Sequence, residues 1–175
     1  TQYIGDVDED ELTLTVSENE NIAVSIDGFE VTFGAVQDWN GTGTLTFTVN
    51  DNQGRAIAED NIDIIVTPVN DAPIITAIDG VSIFEDGFAE VNLVASDVDE
   101  DNLEFTASSD TSAVATDVDG TNLILTPEAN WSGTAGITVI VTDGSLSDTT
   151  PFVLTVTPVN DAPGIVSGLD DFELL

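Results

Sequence analysis

Ile137–Pro163 reads ITVIVTDGSLSDTTPFVLTVTPVNDAP, and its hydrophobic pattern decides the fold. Ile137, Val139 and Val141 recur every second residue, as do Phe152, Leu154 and Val156. Successive side chains of a strand point to opposite faces, so each trio shares one face, while the intervening Thr residues suit a solvated face. Between the runs lies Asp143-Gly-Ser, a turn signal. Pro158 has no N–H to give to a ladder and ends the second run, and the following Asn-Asp-Ala-Pro reads as a short, stiff linker. The stretch is two β-strands and a boundary.

Working outward, the same elements return. TPVNDAP stands at Thr67–Pro73 and at Thr157–Pro163, 90 residues apart. DVDED stands at Asp6–Asp10 and Asp97–Asp101, 91 apart, and Trp39 in DWNGTGTLTFTVND matches Trp131 in NWSGTAGITVIVTD, 92 apart. The offset drops from 92 to 90 because the loop after Asp51 is two residues longer than the loop after Asp143. The chain is therefore a tandem repeat. In the second copy the alternation predicts strands near Ile74–Ile78, Val81–Phe84, Ala89–Ala95, Leu103–Ala107, Ala113–Asp117, Asn122–Thr126, Ile137–Thr142 and Phe152–Thr157. Short strands separated by turn signals, with no helical period, predict an all-β fold of tandem immunoglobulin-like sandwiches.

The boundaries follow: 1–69 is an incomplete first repeat, 70–159 a complete second one, and 160–175 a linker with an orphan strand. Thr1 aligns with Asn92, so the first repeat lacks its N-terminal strand and half the second. The tail IVSGLDDFELL, Ile165–Leu175, aligns with IITAIDGVSIF, Ile74–Phe84, the opening of a repeat. An incomplete sandwich exposes an open edge, and a spare strand is what such an edge pairs with. Head-to-tail strand donation between chains is the expectation. Without an initiator Met or a signal peptide, the chain reads as an internal segment.

Composition narrows the chemistry. There are 34 acidic residues against one basic residue, Arg55, for a formal charge of −33. Yet 41% of residues are hydrophobic, too many for an acidic disordered tail. A folded chain so charged repels itself unless cations from solution neutralise it. The absence of His and Cys excludes the usual zinc, copper and haem sites and the His-dependent nucleophiles. A single cation argues against nucleic acid, and no apolar run approaches the roughly 18 residues of a membrane-spanning helix. Only a carboxylate pair remains for catalysis, and carboxylate clusters duplicated with the repeat read as scaffold. The expectation is no enzyme. Arg55 is expected to pair with a nearby carboxylate.

Calcium takes six to eight oxygen ligands from carboxylates, amides and backbone carbonyls. Asp97, Asp99 and Asp101, spaced two apart, can converge on one ion if they lie in a loop. Trp39 and Trp131 could form a sugar-stacking platform with Tyr3, but each precedes a Gly-Thr turn and a core strand. There a large ring plugs the end of a sandwich.

The order of strand, DxD, strand, aromatic turn, Asp-ended strand and NDxP resembles cadherin domains, in particular the cadherin-like tandem repeats of large bacterial surface proteins. TPVNDAP resembles that family's DxNDNxP linker, and VTDGS and VNDNQ its later Asp-bearing strand end. The leading linker Asp is Thr or Pro here, one Asn is absent, and the Asp-Arg-Glu motif is not recognisable. The resemblance implies calcium (Ca2+) between successive repeats. The implied ligands at the joint are Asn70, Asp71, Asp97, Asp99, Asp101 and Asp143, with Asp38 from the first repeat. Glu85, Asn160 and Asp161 would serve a following joint, and Asp6, Asp8 and Asp51 a preceding one. The implied role is a calcium-stiffened structural or adhesive repeat of an extracellular or cell-surface protein. Its partners would be neighbouring repeats, with polysaccharide binding the alternative.

Overall fold

Backbone pairing in the computed structural model, which describes residues 4–54 and 57–163, divides the chain into two units meeting at Asn70 and Asp71. Arg55, whose pairing with a nearby carboxylate was expected, lies outside the described residues, as do Tyr3 and the predicted tail strand at Ile165–Leu175. No helix among the described residues is long and apolar enough to cross a membrane.

In the first unit the strands are β1 (Thr13–Val16), β2 (Ile22–Asp27), β3 (Glu30–Ala35), β4 (Gly41–Asn50) and β5 (Ile57–Val66). The second holds β6 (Ile74–Ile75), β7 (Val81–Phe84), β8 (Ala89–Asn92), β9 (Ala95–Ser96), β10 (Glu104–Ser109), β11 (Val114–Asp119), β12 (Asn122–Pro127), β13 (Gly133–Thr142) and β14 (Ser147–Thr157).

The second unit is a complete sandwich. One sheet has the order β10-β13-β14-β7 and the other β11-β12-β8, with β6 and β9 as a short pair. Two features are immunoglobulin-like. β7 joins β14 in parallel, with Val81 opposite Leu154 and Ile83 opposite Val156. The segment from Ala89 to Ser96 serves both sides, β8 pairing with β12 and β9 with β6. The alternation read from the sequence becomes the core. Ile137, Val139, Val141, Phe152, Leu154 and Val156 are all buried, together with Leu93, Leu123 and Leu125. Each such side chain contributes about 1.5–3 kcal/mol by leaving water.

Three strands differ from expectation. β6 is only two residues long, and Ile78, predicted within it, packs against the core from a loop. The segment predicted as one strand over Ala89–Ala95 breaks into β8 and β9 where it changes sheets. β14 begins at Ser147, before Pro151, which the prediction had excluded. Pro151 is opposite Thr138 on β13, and β7 reaches β14 only from Leu154 onward, so no ladder needs a Pro151 N–H on the other side. At the boundary, Pro73 is fully buried, so the end of the NDAP stretch is part of the second unit's core.

The first unit repeats β10–β14 as β1–β5: a sheet β1-β4-β5 and the pair β2-β3. Among its described residues there is no counterpart of β6, β7 or β8. Ile22 and Leu45 are the only buried hydrophobics among the described residues of this unit, while Phe29, Phe33 and Ile65 stand exposed. Phe33 meets Phe47 edge to face at 6.3 Å, tying β3 to β4.

Trp131 packs against the core of the second unit, and both tryptophans share a device the sequence spells as Trp-x-Gly. Trp39 and Trp131 are half-buried, and the ring of each lies 3.1 Å from where a Cβ would stand on Gly41 and Gly133. Those glycines have φ of +144° and +155°, a region that side-chain-bearing residues avoid. Gly133→Ala is therefore expected to lower stability in urea unfolding by about 1–3 kcal/mol. Gly120→Asn, at φ +60° with open space around it, should change it by less than about 0.5 kcal/mol.

Candidate metal centre

One end of the second unit collects the predicted ligands by topology. Ile74 pairs with Ser96, so Asp71 and Asp97 continue from the same end of the β6–β9 pair. Glu104 pairs with Thr142, which brings the Asp97–Asp101 loop and Asp143 to that end as well.

The loop itself does the converging. Asp97, Asp99 and Asp101 each offer an oxygen within 4.8 Å of the others. The Asp99 N–H donates to Asp97 Oδ1 at 2.8 Å, fixing the first carboxylate across the turn. Asp71 N–H donates to Asp99 Oδ2 at 2.8 Å, drawing the incoming chain onto the loop. Glu100 takes φ +60°, the left-handed bend that lets alternate carboxylates face inward instead of lining a strand. Asp97 Oδ2 is buried and has no hydrogen-bond partner. A buried carboxylate oxygen left bare costs about 1–3 kcal/mol or more, and a cation removes that cost.

The donors fit calcium. Opposite ligands of an ion with 2.3–2.6 Å bonds lie about 4.6–5.2 Å apart, so oxygens within 4.8 Å can share one. All are hard oxygens. Asp143 is held differently from the loop: its Oδ1 accepts from Ser145 N–H and Leu146 N–H, both at 2.6 Å, closing the β13–β14 turn. It shares the end of the unit but is not among the three converging carboxylates. Asn70 belongs to the first unit.

The first unit has the same loop. Asp6, Asp8 and Asp10 converge within 4.8 Å. Asp6 Oδ1 accepts from Asp8 N–H at 2.7 Å, and Glu9 repeats the φ of +60° seen at Glu100. Asp10 was not among the expected ligands, although its equivalence to Asp101 by the repeat marked it. Asp51 caps a turn by accepting from Gln53 N–H at 3.0 Å. Asp38, at φ +60°, is exposed and accepts from Gln37 Nε2 at 3.2 Å; it joins no converging group.

The opposite end of the second unit holds Glu85, Asn160 and Asp161. Glu85 is 8% exposed, and its Oε1 accepts from Val159 N–H at 2.5 Å, so a buried carboxylate anchors the exit of β14. Asn160 Nδ2 donates to Asp161 O at 3.2 Å. Asp86, which the sequence reading passed over, accepts from Asn130 N–H at 2.9 Å and pins the aromatic turn. Among the described residues no three carboxylates converge at this end.

Asp148 was also missed, for it sits among Ser and Thr without a motif. Its Oδ2 accepts from Ile75 N–H at 3.0 Å, fastening β6 beside the acidic loop. That bond, with a second from Thr149 N–H, holds its carboxyl below the ordinary aspartate value. The counterpart in the first unit is Ala58.

Residues 70–157 match the bacterial Ig domain family, and the chain belongs to that family. Human protocadherin-24 EC1-2 is similar at 17% identity over 90% of this chain and 85% of that one, with a TM-score of 0.56. Protocadherin gammaB7 EC3-6 is similar at 14% identity over 84% of this chain and 42% of that one, with a TM-score of 0.52. These likenesses show a cadherin-like fold. The chain spans about a quarter of the length of an endo-fucoidan hydrolase of glycoside hydrolase family 107: 19% identity, 87% of this chain, 24% of that one, TM-score 0.40. No curated protein matches.

The Asp148 linkage has a definite sign. Its folded-state pKa is depressed, so its contribution is present above the unfolded value and disappears as pH falls through the folded one. Asp148→Asn should flatten the loss of stability measured by acid titration below the ordinary aspartate value of 3.8. The neutral amide leaves stability there nearly independent of this site.

Proposed function

We propose that the chain is a calcium-binding structural or adhesive repeat of an extracellular surface protein, without catalytic activity. The single observation that carries this reading is the bare, buried Oδ2 of Asp97 inside a group of three converging carboxylates. Asp97, Asp99 and Asp101 would hold the ion. When bound, it supplies positive charge and geometric restraint, not chemistry. Asp71, already tied to Asp99 through its backbone N–H, is thereby restrained where the chain enters the second unit. In a tandem array such ions stiffen the connections between successive repeats and offset the repulsion within a chain of charge −33. Asn70 and Asp143 would complete the set, and Asp6, Asp8 and Asp10 would hold an equivalent ion in the first unit. The bacterial Ig family and the cadherin-like fold support a surface location.

Thermal unfolding with and without millimolar calcium tests the proposal. Calcium selective for the folded state raises the transition temperature, by about 2.7 kcal/mol in stability at a hundredfold excess over Kd. Asp97→Asn is expected to remove most of that gain. An equal rise with sodium chloride at matched ionic strength would reduce the effect to screening and refute the site.

A further inference from the structure

The turns that carry the two tryptophans hold a second pattern, one that the acidic loops do not use. Asp38–Thr42 reads DWNGT and Glu128–Ser132 reads EANWS. Each contains Asn-x-Ser/Thr without Pro in the middle, the triplet at which an asparagine accepts an oligosaccharide. We propose that Asn40 and Asn130 are N-glycosylation sites, each taking one oligosaccharide from a lipid diphosphate carrier.

Of the 12 Asn in the chain, only these two have a hydroxyl residue two positions on. Both also have a carboxylate two positions before, Asp38 and Glu128. Bacterial transferases of this class read such a carboxylate with a basic group of their own, a charge-assisted contact added to the recognition of the hydroxyl. The two sites are not copies of one motif. With Trp39 matched to Trp131, Asn130 falls at the place of Asp38 and Asn40 at that of Ser132. The same five-residue pattern therefore occurs in two registers of one turn.

The folded turns suit the product. Asn40, Thr42, Asn130 and Ser132 are exposed, and neither Asn carboxamide makes a hydrogen bond among the described residues. Asn130 takes φ +57°, and its N–H donates to Asp86 Oδ1 at 2.9 Å. The fold thus holds Asn130 by its backbone, and a sugar on Nδ2 leaves that bond intact. Trp131 packs against the core, so the transferase meets the triplet before the turn closes. Because Asp86 follows Glu85, Asn130 lies at the end of the second unit away from the Asp97–Asp101 loop. A glycan there leaves the converging carboxylates open.

In the transfer, Asn Nδ2 bonds to the anomeric carbon of the sugar as the bond from that carbon to the carrier's phosphate oxygen breaks. The electron pair leaves with the lipid diphosphate, and Nδ2 gives up one proton. The step acts on an exported chain and so rests on the surface location proposed above, while the test supplies export itself.

The full chain, given a cleavable export signal, is produced in bacteria that make a lipid-linked oligosaccharide and its transferase, and its intact mass is measured. The mass should exceed that of the bare chain by two glycans, with Asn40→Gln and Asn130→Gln each removing one. Glu128→Gln and Ser132→Ala should each lose the glycan at Asn130 and keep the one at Asn40, which reports that the variant is still exported. An exported chain of unmodified mass, beside a reference acceptor protein modified in the same cells, would overturn the proposal. So would a glycan retained by the double variant Asn40→Gln, Asn130→Gln, or full occupancy of Asn130 in Glu128→Gln. The calcium reading stands or falls separately, on thermal unfolding of the unglycosylated chain.

Discussion

Everything distinctive in this protein follows from a shortage of internal positive charge. With 34 carboxylate side chains and one Arg, almost no carboxylate can be neutralised by a side chain of opposite sign. The fold instead turns to the backbone. Asp6, Asp51, Asp97 and Asp143 each accept an N–H from two residues further on, closing the turns in which they stand. Asp148 and Glu85 use the same currency across the sheet, fixing the entry and exit strands of the second unit. Backbone donors are partial charges, however, and they satisfy one oxygen at a time. What they leave is a set of outward or bare oxygens at the sandwich ends, with Asp97 Oδ2 the buried extreme.

This explains why acidity concentrates where it does. Strand faces that pack must be apolar, and the sheets provide a stable frame from Ile137, Val139, Leu154 and their neighbours. Loops are the places where three carboxylates can bend toward a common point, provided the chain accepts a left-handed residue such as Glu9 or Glu100. The frame and the acidic loop are therefore separate inventions: the Ile75 N–H to Asp148 fastens β6 to β14, and the Asp71 N–H to Asp99 ties the entering chain to the loop. In the first unit the frame is thin. Exposed Phe29 and Ile65 mark apolar surface that the strands present there do not cover.

The fold was legible because period-2 runs and a repeated turn chemistry survive in the sequence without any partner in view. Ile137–Thr142 and Phe152–Thr157 fell within β13 and β14, and the packing of Trp131 against the core was expected from the turn that follows it. What differed was local: the predicted strand began only at Phe152, and sequence cannot reveal that β14 runs back through Pro151 because β7 pairs with it only from Leu154 onward. At the site, the Asp97–Asp101 loop was legible because its alternate carboxylates recur at Asp6–Asp10 at the offset of the repeat, beside the recurring NDAP, and the structure brings Asp97, Asp99 and Asp101 together. Asp10 should have been read from the repeat and was overlooked. Asp148 and Asp86 could not have been, since each acts on a backbone N–H far along the chain, and no motif records that distance.

A calcium titration followed by backbone amide chemical shifts bears most directly on whether the bare oxygens of the acidic loop hold an ion. The account predicts saturable shifts confined to Asp71, to Asp97–Asp101 and their equivalents at Asp6–Asp10, with residues of β13 and β14 unmoved. Small, unsaturated shifts spread evenly over the acidic surface, and reproduced by sodium at the same ionic strength, would contradict it.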